Sequence, residues 1–156
     1  MAGVRMLGVG ARAPSFTLAD AFSGEPVGDP WAKGTTVVAF FKVTCPVCQM
    51  VAPKLTALAE GGARVLAVGQ DPPAALVRYA HEQGQRVPTV SEAAPYAVSS
   101  AYGVSSVPSL FVVEPGGVVA DAVAGWDRDR WNAVAAAVGA PAVSAEGDGL
   151  PVFRPG

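Results

Sequence analysis

The stretch Val37-Val38-Ala39-Phe40-Phe41-Lys42-Val43-Thr44-Cys45-Pro46-Val47-Cys48-Gln49-Met50-Val51-Ala52-Pro53 decides the fold. It opens on an unbroken apolar, β-rich run, the pattern of a strand covered on both faces. From Pro46 the pattern turns helical: proline is tolerated at the first helical position, and Val51, Leu55 and Leu58 recur at helical spacing. The two cysteines of the chain therefore fall where a strand hands over to a helix. Cys45-Pro46-Val47-Cys48 in that place reads as a dithiol/disulfide redox centre. Residues three apart on a helix share a face, so the two sulfurs can come close enough to bond. Cys45 at the helix N-terminus meets unpaired backbone N–H groups and the positive end of the macrodipole, which favour the thiolate, the nucleophile of disulfide exchange.

Other uses of two cysteines fit less well. A zinc site needs about four ligands, and beyond this pair the chain offers one histidine, His81, in a polar helix-like stretch where it is given no role. A structural disulfide closing so short a loop would constrain the unfolded chain very little. At 156 residues, 51% hydrophobic and 15% charged, the chain fits one domain with a sizeable core. The net charge of −2 comes without basic clusters, which argues against nucleic acid and against a membrane surface as partners. The first ten residues hold one basic side chain, Arg5, and no apolar run of signal length. Nothing elsewhere approaches a membrane span. The expectation is a cytoplasmic protein, or an extracytoplasmic one if a leader has been removed. In a reducing compartment a CxxC pair favours catalysis over a staple.

Working outward, turn chemistry at Ser23-Gly24-Glu25-Pro26 between Phe16-Thr17-Leu18 and Val27 predicts a peripheral N-terminal hairpin. The helix from Pro46 carries a kinking Pro53 and ends at Gly61-Gly62. Arg64 to Gly69 reads as a second buried strand. Pro72 to Gln83 reads as a helix capped by Asp71, with Leu76, Tyr79 and Ala80 inward. Val87 to Val90 is expected as a short edge strand and Tyr96 to Tyr102 as a short helix. Ser109 to Val113 and Val118 to Val123 flank Glu114-Pro115-Gly116-Gly117 and predict an antiparallel hairpin. A last helix covers Asp127 to Val138, with Trp126 and Trp131 as packing residues. The Pro/Gly/Ala-rich segment from Ala140 to Gly156 is expected to be loosely ordered. The sum is an α/β domain over residues 1–139 with a tail over 140–156. The domain has a central mixed β-sheet flanked by helices on both faces, an N-terminal β-hairpin and an inserted helix within residues 71 to 95.

This order, with CxxC after the first core strand and Val107-Pro108 before the hairpin, resembles the thioredoxin-like superfamily. Cys48-Gln49-Met50-Val51-Ala52-Pro53 closely resembles the thioredoxin active-site helix. The leading hairpin, the Lys33-Gly34 approach and the surplus around 71 to 95 are similar to the TlpA/ResA-like and peroxiredoxin-like branch. The resemblance implies a thioredoxin-like fold and a thiol:disulfide oxidoreductase in which Cys45 attacks a disulfide and Cys48 resolves the mixed disulfide. It further implies a cis Pro108 facing the pair, and a substrate groove formed by Thr44, Pro46, Val47, Val107 and Pro108, with the Val107 backbone offered to an extended substrate. The implied partners are protein or small-molecule disulfides and dithiols and a recycling thiol reductant or oxidant, with no metal and no cofactor.

Several positions depart from that pattern. Thr44 stands where thioredoxins have tryptophan, Ala39 where they keep a buried aspartate, and Val51 where TlpA/ResA-like proteins often place a glutamate. Water, Thr44 or a distant carboxylate such as Glu92 would then have to move the proton of Cys48. Pro46 and Val107 are similar to glutaredoxins and DsbA-like oxidants, which implies a pair more oxidising than thioredoxin. Two further readings stay open. One is a peroxiredoxin-like thiol peroxidase, although Lys42 stands where those enzymes carry Thr or Ser, three residues before the reactive cysteine. The other is a non-enzymatic module binding thiols or a soft metal ion such as Cu(I).

Overall fold

The computed structural model describes residues 5–156; the first four residues, with which the expected 1–139 unit opens, lie outside them. Strand β3 (Thr36–Phe41) has every residue buried. Because side chains alternate along a strand, Val37, Ala39 and Phe41 enter one core while Val38 and Phe40 enter another. β3 runs parallel to β4 (Arg64–Gly69) and antiparallel to β6 (Ser109–Val113). The sheet also holds β1 (Leu18–Asp20), β2 (Pro26–Val27), β5 (Thr89–Ser91) and β7 (Val119–Ala124). Its seven strands lie in the order β2-β1-β5-β4-β3-β6-β7. The expected hairpins form as β1 with β2 and β6 with β7.

The edge position expected for β5 is wrong. It lies inside the sheet, parallel to β4 on one side and antiparallel to β1 on the other. The N-terminal hairpin supplies the cover, and Pro88 sits just before the strand, where its missing N–H breaks no ladder bond.

Three helices, α1 (Pro46–Glu60), α2 (Pro73–Gln83) and α4 (Arg128–Ala137), pack on the face that holds Val37, Ala39 and Phe41. The opposite face is closed by Trp31 from a 3-10 turn, by Val98 from α3 (Ala97–Ala101), and by Phe16, Tyr102 and Phe111. α1 continues through Pro53, whose exposed ring faces away from the core. The helix forfeits one hydrogen bond there, to the carbonyl of Gln49. Asp71 does not cap α2, which starts from Pro72 without a side-chain cap. Its carboxylate instead accepts the N–H of Val43 at 2.9 Å, tying the loop before Cys45 to the end of β4.

The segment expected to be loose is packed. β9 (Phe153–Arg154) pairs antiparallel with β8 (Trp126–Asp127). The buried Arg128 guanidinium donates to Ser144 Oγ and to the Leu150 carbonyl, each at 2.9 Å. Asn132 holds the backbone of Val143 and Ser144. Asp148 accepts from Lys54 on α1 at 3.0 Å and from Ser144 at 2.6 Å. These polar anchors order residues 140–156 against the same body as the preceding domain. Trp126 and Trp131 pack edge to face at 5.1 Å and are fully buried, as read from the sequence.

Two measurements check this construction. Trp131→Ala leaves a cavity where α4 meets the sheet and is expected to cost about 3–5 kcal/mol in denaturant unfolding. Asp148 is held below its ordinary value of 3.8 by hydrogen bonds from Ser144, Leu150 and Lys54. A depressed carboxylate stabilises the fold fully above pH 3.8 and loses that contribution as pH falls through its lower folded value. Asp148→Asn is therefore expected to melt below the parent at pH 6, with the gap closing once the pH drops under 3.8.

Candidate active site

Cys45 is the N-cap of α1, with extended backbone at φ −83° and ψ 116°. At a helix start the first N–H groups have no partner within the helix. One of them, the N–H of Cys48, donates to Cys45 Sγ at 3.1 Å. Pro46 takes the next position, where its lack of an N–H costs nothing. The approach is held from two sides: Gln49 Nε2 donates to the Val43 carbonyl at 2.8 Å, and Asp71 receives the Val43 N–H. Across the crevice, the Cys45 thiol donates to the carbonyl of Val107 at 3.3 Å. The Val107–Pro108 peptide bond is cis.

The two thiols are free and differ in exposure: Cys45 is half-buried and Cys48 is 1% exposed. Burial drives the Cys48 thiol well above its ordinary value, and its hydrogen bond with Cys45 adds to the shift. Tyr79, packed on Phe41 with ring centroids 5.1 Å apart, belongs to the same buried cluster. Its phenol is raised chiefly by burial and then by charge on Cys48, Cys45 and Asp71. Among the described residues the Tyr79 hydroxyl has no hydrogen-bond partner. A cavity of about 360 Å³ opens beside Val107, walled by Lys42, Gln70, Tyr96, Ser99 and Ser106. Among the described residues no group of three or more His, Cys, Asp or Glu side chains is arranged to hold a metal ion.

The structure brings Cys45, Cys48, Val107 and Pro108 together. Thr44 and Pro46 are exposed beside them. Val47 departs from its expected place in the groove: its side chain is 5% exposed and lies in the core, because the second helical position turns inward here. Glu92 is also committed elsewhere. Its two carboxylate oxygens accept the N–H and hydroxyl of Ser99 at 2.8 and 2.6 Å, anchoring the start of α3. Sequence reasoning missed the bond from Val43 to Asp71 and the orphan hydroxyl of Tyr79. The first had a signal in retrospect: an acidic residue before two prolines, at the end of a strand parallel to the one leading into Cys45.

Residues 9–122 match the AhpC/TSA family, a span that includes both cysteines and Val107-Pro108. No curated protein matches the chain by sequence. Among solved structures, the thioredoxin domain of a thiol-disulfide oxidoreductase from Bacteroides vulgatus superposes with a TM-score of 0.73 at 22% identity, over 85% of this chain and 99% of that one. A thiol:disulfide interchange protein from Bacteroides sp. gives 0.71 at 22% identity, over 92% and 96% of the two chains. The peroxidoxin BcpB from Mycobacterium tuberculosis gives 0.69 at 21% identity, over 85% and 96%. Such likenesses establish the thioredoxin-like fold. The family match runs through the cysteine pair and the turn that faces it, and by that match the chain belongs to the AhpC/TSA family.

Proposed function

We propose that the protein is a thiol:disulfide oxidoreductase of the TlpA-like kind, working through Cys45 and Cys48. One observation carries the reading. A half-buried sulfur at a helix N-terminus receives the Cys48 N–H, while the second thiol lies buried behind it. In the reducing direction the Cys45 thiolate attacks one sulfur of a substrate disulfide. A Cys45–S bond forms, the substrate S–S bond breaks, and the leaving thiolate takes the electron pair. Cys48 then gives up its proton and attacks Cys45 Sγ, forming the Cys45–Cys48 disulfide and expelling the second substrate thiolate. An external dithiol returns the pair to its reduced state. With an oxidant as the recycling partner, the same steps run in reverse.

The substrates we infer are protein or small-molecule disulfides. The Val107 carbonyl beside Cys45 supports the protein case, because an extended segment can donate an N–H to it as an added strand does. Thr44 and Pro46 line the exposed approach. The cavity beside Val107 leaves polar room for the substrate chain.

Equilibration with glutathione redox buffers tests the assignment. The expected result is one reversible two-electron transition, abolished by Cys45→Ser and by Cys48→Ser. Cys48→Ser is expected to accumulate a Cys45 mixed disulfide, and Cys45→Ser to reduce turnover to background. Consumption of hydrogen peroxide by the reduced protein without disulfide turnover would replace this reading with a thiol peroxidase. Alkylation of the reduced native protein provides a separate check: Cys45 is expected to react with iodoacetamide, and Cys48, buried with its thiol pushed up, only after unfolding.

A further inference from the structure

Gly156 packs against the backbone of Val107 so closely that a Cβ there would overlap the Val107 carbonyl oxygen. That carbonyl is the one 3.3 Å from Cys45 Sγ. The other wall of the seam is Gly125. A Cβ on Gly125 would meet the Arg154 carbonyl and the Gly156 nitrogen at 3.1 Å and Pro155 at 3.2 Å. The N–H of Gly125 donates to the Pro108 carbonyl at 2.7 Å, joining the two walls. Arg154-Pro155-Gly156 therefore lies over the backbone seam where Val107-Pro108 meets Gly125. It does so with glycines at the two closest approaches.

The hold on this segment is polar rather than apolar. The Pro151 carbonyl accepts from Trp126 Nε1 at 2.7 Å, and the Val152 carbonyl accepts the Arg128 N–H at 2.8 Å. β9 adds its short pairing with β8. All of residues 151–156 are exposed, and Phe153 remains 58% exposed. A segment that buries so little apolar surface opens at low cost compared with the core. Pro155 has no N–H to extend the ladder past Arg154, so the pairing stops where the seam begins.

Resting on the oxidoreductase reading, we infer that residues 153–156 are an intramolecular occupant of the docking edge beside Cys45. They compete with extended peptide disulfides for the Val107 backbone. Small disulfides, which need only Cys45 Sγ, react without displacing them. Residues 153–156 thus set substrate class, favouring small disulfides until they lift.

The test follows the attack of Cys45 in the full chain carrying Cys48→Ser, where the mixed disulfide cannot resolve. Two probes are compared by mass spectrometry: bis(2-hydroxyethyl) disulfide, and a short extended peptide whose cysteine is disulfide-linked to 2-mercaptoethanol. The same rates are then measured after removal of residues 153–156, and separately with Gly156→Val, whose side chain would collide with the Val107 carbonyl. If the segment occupies the edge about nine-tenths of the time, its release raises the peptide rate by about tenfold and leaves the small-disulfide rate within about twofold. An unchanged or lower peptide rate in folded variants overturns the inference while leaving the oxidoreductase reading intact. Failure of the small disulfide to react with any of the proteins removes that reading, and this inference with it. Should the shortened chain lose cooperative unfolding, Gly156→Val decides alone.

Discussion

The geometry of the site depends on the burial of β3 on both faces. Its six residues are all buried, and they alternate between two cores. Each large apolar side chain so placed contributes about 1.5–3 kcal/mol relative to exposure. Of the hydrogen bonds that shape the turn after it, Cys48 to Cys45 is worth about 0.5–1.5 kcal/mol and Val43 to the Asp71 carboxylate about 1.5–3 kcal/mol, together less than the summed burial of the strand. The apolar strand therefore fixes where Cys45 is delivered, and the hydrogen bonds set its orientation. A strand exposed on one face could slip or fray and carry the sulfur with it. This one is flanked on both edges, by β4 and β6, and β6 begins directly after Val107-Pro108. One strand thereby sets both sides of the crevice.

A different kind of force holds the opposite end of the chain. Residues 140–156 are fastened by hydrogen bonds to Arg128, Asn132 and Asp148, alongside Ala140 and Val143 in the core and Leu150 packed against it. Arg128 is almost completely buried, and a buried guanidinium is costly unless its donors are met. Here Ser144, Asp148 and the Leu150 carbonyl meet them. The bond from Lys54 to Asp148 ties the same segment to the helix that carries the cysteines. The active-site helix and the segment lying beside Val107 thus share a fastening.

What the sequence makes legible follows the same division. β3, α1, β4, the β6–β7 hairpin and α4 can be read because apolar period and glycine punctuation specify them locally. The cysteine pair is legible for the same reason, since a strand and a helix with strong patterns meet at Cys45. The interior place of β5 is not, because it depends on pairing with β1 from a distant hairpin, and a strand's own residues do not state their neighbours. The order of the tail is hidden too: its anchors act singly and without period. A clue does exist in α4, where Arg128 falls on the helix face shared with Trp131 and Ala135. A charge on an inward face requires partners from elsewhere in the chain, and the tail supplies them. Asp71 misleads in the opposite sense, since an acid ahead of Pro72-Pro73 looks like a cap while its real partner is the backbone of Val43.

The remaining constraint falls on the second half of the proposed exchange cycle. Cys48 must lose its proton to resolve the mixed disulfide, and each unit by which its thiol is raised adds about 1.4 kcal/mol to forming the thiolate. Ala39, in the same buried cluster, offers no carboxylate, and Glu92 is occupied by Ser99. Tyr79 is the nearby polar group left unpaired, but a phenol pushed upward by burial stays protonated. A neutral phenol does not take up that proton. The proton must therefore leave by the half-buried side of the pair, past Cys45, where solvent or the substrate's departing thiolate can take it. Attack by Cys45 needs no such path, because its sulfur already reaches the surface. On the proposed cycle, burial of the Cys48 thiol therefore falls as a cost on the resolving step, and a substrate that fills the crevice around Cys45 narrows the proton's way out.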